Sequence, residues 1–208
     1  MSGKRKDKQK SLRTLKELLT VLREYAAVRE IPIIGEDAER VLSAVASVKR
    51  PKKILEIGTA IGYSGAFILA HADQDAHLYT MDKDEEAVAT ARETFRELKL
   101  TDRVTVYSGD AGDILKNLTG MYDFIFLDGP KGQYLSYFPH LYEHLEPGGV
   151  LFCDNVYFHG MTNADPGHKN RTIHTNLREF LNVLQTHQGL TTEVLSCGDG
   201  IAVSVKNF

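Results

Sequence analysis

Short apolar runs alternate with amphipathic stretches along most of this 208-residue chain, and the alternation is regular enough to predict its elements. Leu12, Leu15, Leu18-Leu19, Leu22 and Tyr25-Ala26 recur at helical spacing, so residues 11–29 read as a helix with Ser11 as its N-cap. Ile31-Pro32-Ile33-Ile34-Gly35 breaks that pattern. A second helix follows over 36–48 with Ala38, Val41-Leu42 and Val45 as its buried stripe, and Pro51 stops it. From there strands are predicted over 54–57, 77–81, 104–107, 122–127 and 150–153. Helices over 63–71, 84–98, 111–118 and 134–144 connect them, the last ended by Pro147-Gly148-Gly149. A final helix over 171–187 precedes strands 191–195 and 200–205, which are joined through Cys197-Gly198-Asp199-Gly200 as a hairpin. The prediction is an α/β fold: a mostly parallel seven-stranded sheet, helices on both faces and an antiparallel C-terminal hairpin.

At 42% apolar, with no run long enough to span a membrane and no signal-peptide pattern, the chain reads as one cytoplasmic domain over 1–208. Cys153 and Cys197 have no CxxC partner, which excludes a thiolate zinc site and favours buried reduced thiols. Charge is unevenly spread. Residues 1–16 hold seven lysines and arginines against Asp7, a local +6, while the whole chain carries −3. The basic arm over 1–10 is open to two readings, a solvated, disordered terminus or a hold on a phosphate backbone. The helices over 11–50 stand outside the alternating unit and are expected to cover the ligand or a partner subunit, as in a homodimer.

Candidate chemistry lies where strands end. Leu55-Glu56-Ile57-Gly58-Thr59-Ala60-Ile61-Gly62-Tyr63-Ser64 reads as strand, tight turn and helix N-terminus, a place for a nucleotide-like ligand. Gly58 permits the sharp turn, and Glu56 offers an acceptor to a ligand amine. The other predicted strands end in Asp82, Gly109-Asp110, Asp128 and Asp154-Asn155, the edge on which such sheets bind ligands. Asp82, about twenty residues past the glycine turn, stands where an acid holds ribose hydroxyls. Asp128, Asp154 and Asn155 are hard oxygen donors suited to Mg²⁺ or another divalent cation. Lys131 would project toward the same spot, and beside a cation its neutral amine takes a proton.

With these motifs the chain resembles the class I methyltransferases that use S-adenosylmethionine, and among them the metal-dependent catechol and caffeoyl-CoA O-methyltransferases. The resemblance runs from about Ile31 onward and implies a Rossmann-like methyltransferase fold. It implies that Glu56 takes the methionine amino group, Asp82 the ribose hydroxyls and Asp110-Ala111 the adenine. Ile34 and Ser64 would line the methionine end, with Gly58 and Asp128 also at the cofactor. It further implies Asp128, Asp154 and Asn155 as metal ligands and Lys131 as the catalytic base. Ala60 departs from the middle glycine of most class I enzymes. The chain has no tryptophan, where animal catechol enzymes use tryptophans as a wall, and the loop after Asn155 differs. Ile31-Pro-Ile-Ile, Asp128-Gly-Pro-Lys-Gly-Gln-Tyr and Asp154-Asn-Val-Tyr-Phe-His-Gly are similar to a bacterial branch that methylates 5-hydroxyuridine at the tRNA wobble position. In 5-hydroxyuracil the C5 hydroxyl and C4 carbonyl are adjacent oxygens, as in a catechol, so either chelates one cation. The acceptor expected is therefore a tRNA anticodon loop, with a small phenol or catechol as the alternative. The basic arm and His159, His168, Lys169 and Arg171 are the candidates for phosphate contacts. A nicotinamide dehydrogenase lacks its GxGxxG spacing here, and a non-catalytic RNA-binding module leaves Lys131 idle.

Overall fold

In the computed structural model, which describes residues 2–157 and 167–208 and the side chains of 15–157 and 171–208, strand and helix alternate as the apolar pattern requires. The elements are α1 (Ser2–Val28), α2 (Glu36–Lys49), β1 (Lys53–Ile57), α3 (Tyr63–His71), β2 (His77–Asp82), α4 (Glu85–Glu97) and β3 (Val104–Ser108). They continue with α5 (Ala111–Asn117), β4 (Tyr122–Leu127), α6 (Tyr134–His144), β5 (Leu145–Asp154), α7 (Gly167–Thr186), β6 (Leu190–Leu195) and β7 (Ile201–Lys206). The sheet order is β3-β2-β1-β4-β5-β7-β6. The first five strands are parallel, and β7 enters antiparallel between β5 and β6.

Side-chain parity divides the core between the two faces of the sheet. Ile54, Phe124, Phe126 and Phe152 point to one cluster, shared with α1 to α4 through Leu19, Leu42, Phe67 and Phe95. Leu55, Ile57, Ile125, Leu127 and Leu151 point to the other, shared with α5 to α7 through Leu115, Leu141 and Phe180. Between β1 and β4 the chain order reverses direction across the sheet, which opens a crevice at the carboxyl ends.

Three details differ from the pattern. Helix α1 runs back to Ser2 rather than beginning at Ser11, over a stretch of Lys, Arg and Gln with neither proline nor glycine after Gly3. Of the apolar positions at helical spacing in α1, Leu18 and Tyr25 are exposed, while Leu15, Leu19 and Ala26 are buried. In α2 the buried positions are Ala38, Leu42 and Ala46, with Val41 and Val45 only partly covered. Strand β5 begins at Leu145, so Pro147-Gly148-Gly149 lies inside it: Tyr122 pairs with Leu145, and the register then jumps to Phe124 with Val150. That break in the ladder is a place within a sheet where proline and a positive-φ glycine (Gly148, φ 71°) are tolerated. Cys153 is buried and Cys197 partly buried, both free thiols. Among the described residues no helix is long and apolar enough to cross a membrane.

Candidate active site

The parallel registers align the strand ends. Ile57 lies opposite Met81 and Leu127, Asp82 opposite Ser108, and Leu127 opposite Cys153. The residues that follow therefore emerge side by side along one edge of the sheet. There they enclose a cavity of about 200 Å³ walled by Gly58, Ala60, Asp82, Asp110, Ala111 and Asp128, with Met81, Pro130 and Tyr137 adding apolar surface.

The first turn shapes that cavity. Gly58 adopts φ 101°, and a Cβ there would collide with the main-chain carbonyl oxygen of Asp128. Glycine is thus required because two strand ends pack backbone to backbone. Ala60 holds a left-handed φ of 44°, so it keeps a conformation that glycine adopts freely. Its N–H donates to Asp82 Oδ2 at 3.0 Å, which ties the turn to the end of β2. Asp82 Oδ1 accepts from Asp84 N at 3.1 Å. Asp110 caps α5 by accepting from Gly112 N at 2.8 Å and shares the far wall with Ala111.

Beneath the turn lies a buried carboxylate. Glu56 is fully buried on the α3 side of the sheet, and it is not part of the cavity wall; Ile34 and Ser64 are not on that wall either. Ser64 Oγ donates to Glu56 Oε1 and Thr80 Oγ1 to Oε2, both at 2.6 Å. Burial pushes the Glu56 carboxyl up to about 7, against the pull of these two hydroxyls. Thr80 faces Glu56 because β1 and β2 pair Glu56 with Thr80, and Thr59 continues the chain at 2.6 Å from Thr80. Neither threonine was legible as a site residue, since strand register is not written in a single sequence. The carbonyl of Ile34 accepts from Arg23 Nη2 at 3.1 Å.

A second group gathers at β4 and β5. Lys131 opens a 3₁₀ turn over Lys131–Gln133, and its side chain is 14% exposed. Its Nζ donates to Asp128 Oδ1 at 2.5 Å, to the Tyr134 hydroxyl at 2.8 Å and to the Asp154 carbonyl at 3.4 Å. Asp154 is 2% exposed. Burial, and then the negative charge of Asp128, push its carboxyl up to about 6, opposed by the Asn155 N–H and Lys131. Asn155 adopts φ 54°, a region asparagine tolerates, and donates its N–H to Asp154 Oδ1 at 2.8 Å. Among the described residues no three or more His, Cys, Asp or Glu side chains converge as a metal-binding group; the expected set contains two carboxylates and an amide. Tyr134, fully buried beneath Lys131, was not anticipated from the sequence as a member of the site. His159 lies outside the described residues, and His168 and Lys169 fall where only the backbone of α7 is described.

Comparison with known proteins gives the family. A family model described as "O-methyltransferase" matches residues 7–207. A catechol O-methyltransferase of Niastella koreensis is 32% identical over 127 residues, 59% of this chain and 58% of that protein. A caffeoyl-CoA O-methyltransferase of Medicago sativa is 27% identical over 201 residues, 90% of this chain and 81% of that protein. Among solved structures, a provisionally named caffeoyl-CoA O-methyltransferase of Staphylococcus aureus superposes with a TM-score of 0.84 at 29% identity, covering 91% of this chain and 92% of that one. The O-methyltransferase of Bacillus cereus, solved in complex with SAH, gives 0.77 at 25% identity, covering 93% and 90%. The chain belongs to the O-methyltransferase family and is an S-adenosylmethionine-dependent O-methyltransferase.

Proposed function

We propose that this methyltransferase acts on 5-hydroxyuridine at the wobble position of tRNA, with a divalent cation such as Mg²⁺, and makes 5-methoxyuridine. The observation that carries the reading is the position of Lys131, an amine held between Asp128 and the carbonyl of Asp154 beside the cavity. In this reading S-adenosylmethionine lies along the strand ends. Asp82 takes the ribose hydroxyls, Asp110 and Ala111 border the adenine, and Gly58 and Asp128 face the methionine portion. Glu56 serves the methionine end from below, through Ser64, and the loop at Ile34 closes that end.

The donors Asp128, Asp154 and Asn155 fit a hard cation: all offer oxygen, and burial together with the negative charge of Asp128 raises the proton affinity of Asp154, a cost that a bound positive charge relieves. A divalent cation held there would lower the pKa of the acceptor hydroxyl. Lys131 takes the proton. The chain otherwise contributes alignment of oxygen, methyl carbon and sulfur.

The RNA acceptor is supported by the Lys- and Arg-rich start of α1, by the absence of tryptophan, and by the motifs around Asp128 and Asp154. A wobble base is already unpaired, so little unstacking is needed to present it. A small catechol is the second reading, favoured by the names of the Niastella and Medicago relatives. A homodimer through α1 is supported by Leu18, Val21, Tyr25 and Val28, an exposed apolar row at helical spacing; light scattering that reads the mass of one chain would remove it. The acceptor test is label transfer from S-adenosylmethionine to 5-hydroxyuridine-containing tRNA and to catechols, with Mg²⁺ and with chelator. Chelator-sensitive label in the tRNA is expected; label in catechols alone would sink the RNA reading.

A further inference from the structure

We propose that Tyr134 is the positioning residue for Lys131, its hydroxyl holding the amine so that one direction remains open to the acceptor's hydroxyl. The inference rests on the reading above in taking Lys131 as the base. Tyr134 begins α6, is fully buried, and packs edge-on against Phe180 with ring centroids 5.4 Å apart. Its hydroxyl lies 3.1 Å from the Leu127 carbonyl and 3.2 Å from the Asp154 carbonyl, the ends of β4 and β5. A phenol has one proton, and carbonyls only accept, so that proton is committed to the two strand ends. Toward Lys131 the hydroxyl presents a lone pair, and it accepts an N–H from Nζ at 2.8 Å.

Asp128 Oδ1 accepts a second N–H. The third direction, toward the Asp154 carbonyl at 3.4 Å, is the loosest. A neutral amine has two N–H groups and one lone pair. With Asp128 and Tyr134 accepting the two N–H groups, the lone pair is left on the third side. An acceptor hydroxyl arriving there gives its proton to Nζ. Its oxygen electron pair forms the new O–CH₃ bond, and the S–CH₃ bond breaks with its electrons remaining on sulfur. The products are the methyl ether, S-adenosylhomocysteine and a Lys131 ammonium, whose three N–H groups again have three acceptors. Without the Tyr134 hydroxyl one N–H loses its acceptor, and the amine rotates among orientations of which a fraction is productive.

The test compares the native chain, Tyr134→Phe, Lys131→Ala and the double variant, all with Mg²⁺, using 5-hydroxyuridine-containing tRNA and catechol as probes. Phenylalanine keeps the buried ring. The expected result is a kcat about 10- to 100-fold lower in Tyr134→Phe, part of the roughly 100- to 10,000-fold that a well-placed base contributes, with KM for S-adenosylmethionine unchanged. On the residual activity of Lys131→Ala, the same substitution is expected to cost nothing further. Native kcat in Lys131→Ala would overturn the base reading itself. Loss in Lys131→Ala with native kcat in Tyr134→Phe, or a Tyr134→Phe loss repeated in full on the Lys131→Ala background, would overturn the role of Tyr134 alone. If Tyr134→Phe does not fold, 3-fluorotyrosine at position 134 keeps the hydroxyl and the shape while weakening the acceptor. A severalfold fall in kcat is then expected, and an unchanged kcat overturns the proposal.

Discussion

The most consequential residue below the cavity is Glu56, because its burial is both a cost to the fold and a source of order. Strand parity turns it toward α3, where Ser64 and Thr80 satisfy its two oxygens. Desolvation still dominates and lifts its carboxyl from 4.5 to about 7. An acid whose folded pKa is raised keeps its proton in the native state after the unfolded chain has lost it. Stability therefore falls as pH rises through the window from 4.5 to about 7. At ~1.4 kcal/mol per unit of difference, the loss is about 3 kcal/mol. Glu56→Gln removes this contribution while retaining side-chain shape and hydrogen-bonding capacity. Thermal melts from pH 4.5 to 7.5 should show a flatter dependence for Glu56→Gln than for the native chain, though not a flat one, since Asp154 is shifted in the same direction. Parallel curves for the two proteins would contradict this account. Ala60 makes the complementary point. It occupies the left-handed position expected of glycine and is tied there by Asp82, so the departure from a glycine pattern changed the residue and not the turn.

Elements were legible in proportion to how far local chemistry decides them. Short, mostly apolar runs marked every parallel strand, and Asp84 and Asp110 stand at the starts of α4 and α5, which they cap. Register was not legible, which is why Glu56 appeared without the Thr80 that faces it across β1 and β2. The helix before Pro147-Gly148-Gly149 ends at His144 as the stretch suggested, but the stretch itself lies inside β5, because pairing of Leu145 with Tyr122 outweighs local preference. Helix α1 shows the same limit: periodicity located its apolar positions, but their burial depends on what packs against them. Its docking runs through Arg23. The guanidinium donates to Ile34 O and to the Tyr63 hydroxyl, both at 3.1 Å, and pairs with Glu39. Tyr63 itself donates to Glu39 at 2.9 Å. One side chain thus joins α1, the 31–35 turn, α2 and the first residue of α3. Arg23→Ala leaves Glu39 and the Ile34 carbonyl short of a donor, and should destabilise the protein by about 2 kcal/mol. Lysine should not rescue it, since a point charge cannot make the forked contacts. Hydrogen exchange should accelerate in α1 and α2 while the strands keep their protection. Uniform acceleration, or rescue by lysine, would show that α1 is held by its apolar face alone.

At the scale of the whole molecule, chemistry is concentrated at one edge and positive charge at one terminus. The carboxyl edge of the sheet carries Asp82, Asp110, Asp128 and Asp154, a field that repels a polyanion, and the body shares that acidity: with +6 over residues 1–16 and −3 overall, the remainder carries about −9. On the proposed tRNA reading, an anticodon loop approaching such an edge needs its backbone charge met elsewhere on the protein. The basic residues at the start of α1 are the densest source of that charge. Each phosphate contact they make releases condensed counterions, so affinity should weaken with salt at a slope set by the number of contacts. Replacing Lys4, Arg5 and Lys6 together with glutamine removes three charges without introducing a helix breaker. The KM for tRNA should rise by roughly tenfold or more near 0.1 M salt, and the salt slope should fall by about two to three. Because those residues stand far in sequence from the strand ends, kcat at saturating tRNA and transfer to a small catechol should both stay at the native value. Equal losses on tRNA and catechol would mean that the arm supports the fold. No loss on either would leave the terminus a solvated extension and move the search for the RNA contact to the loop after Asn155.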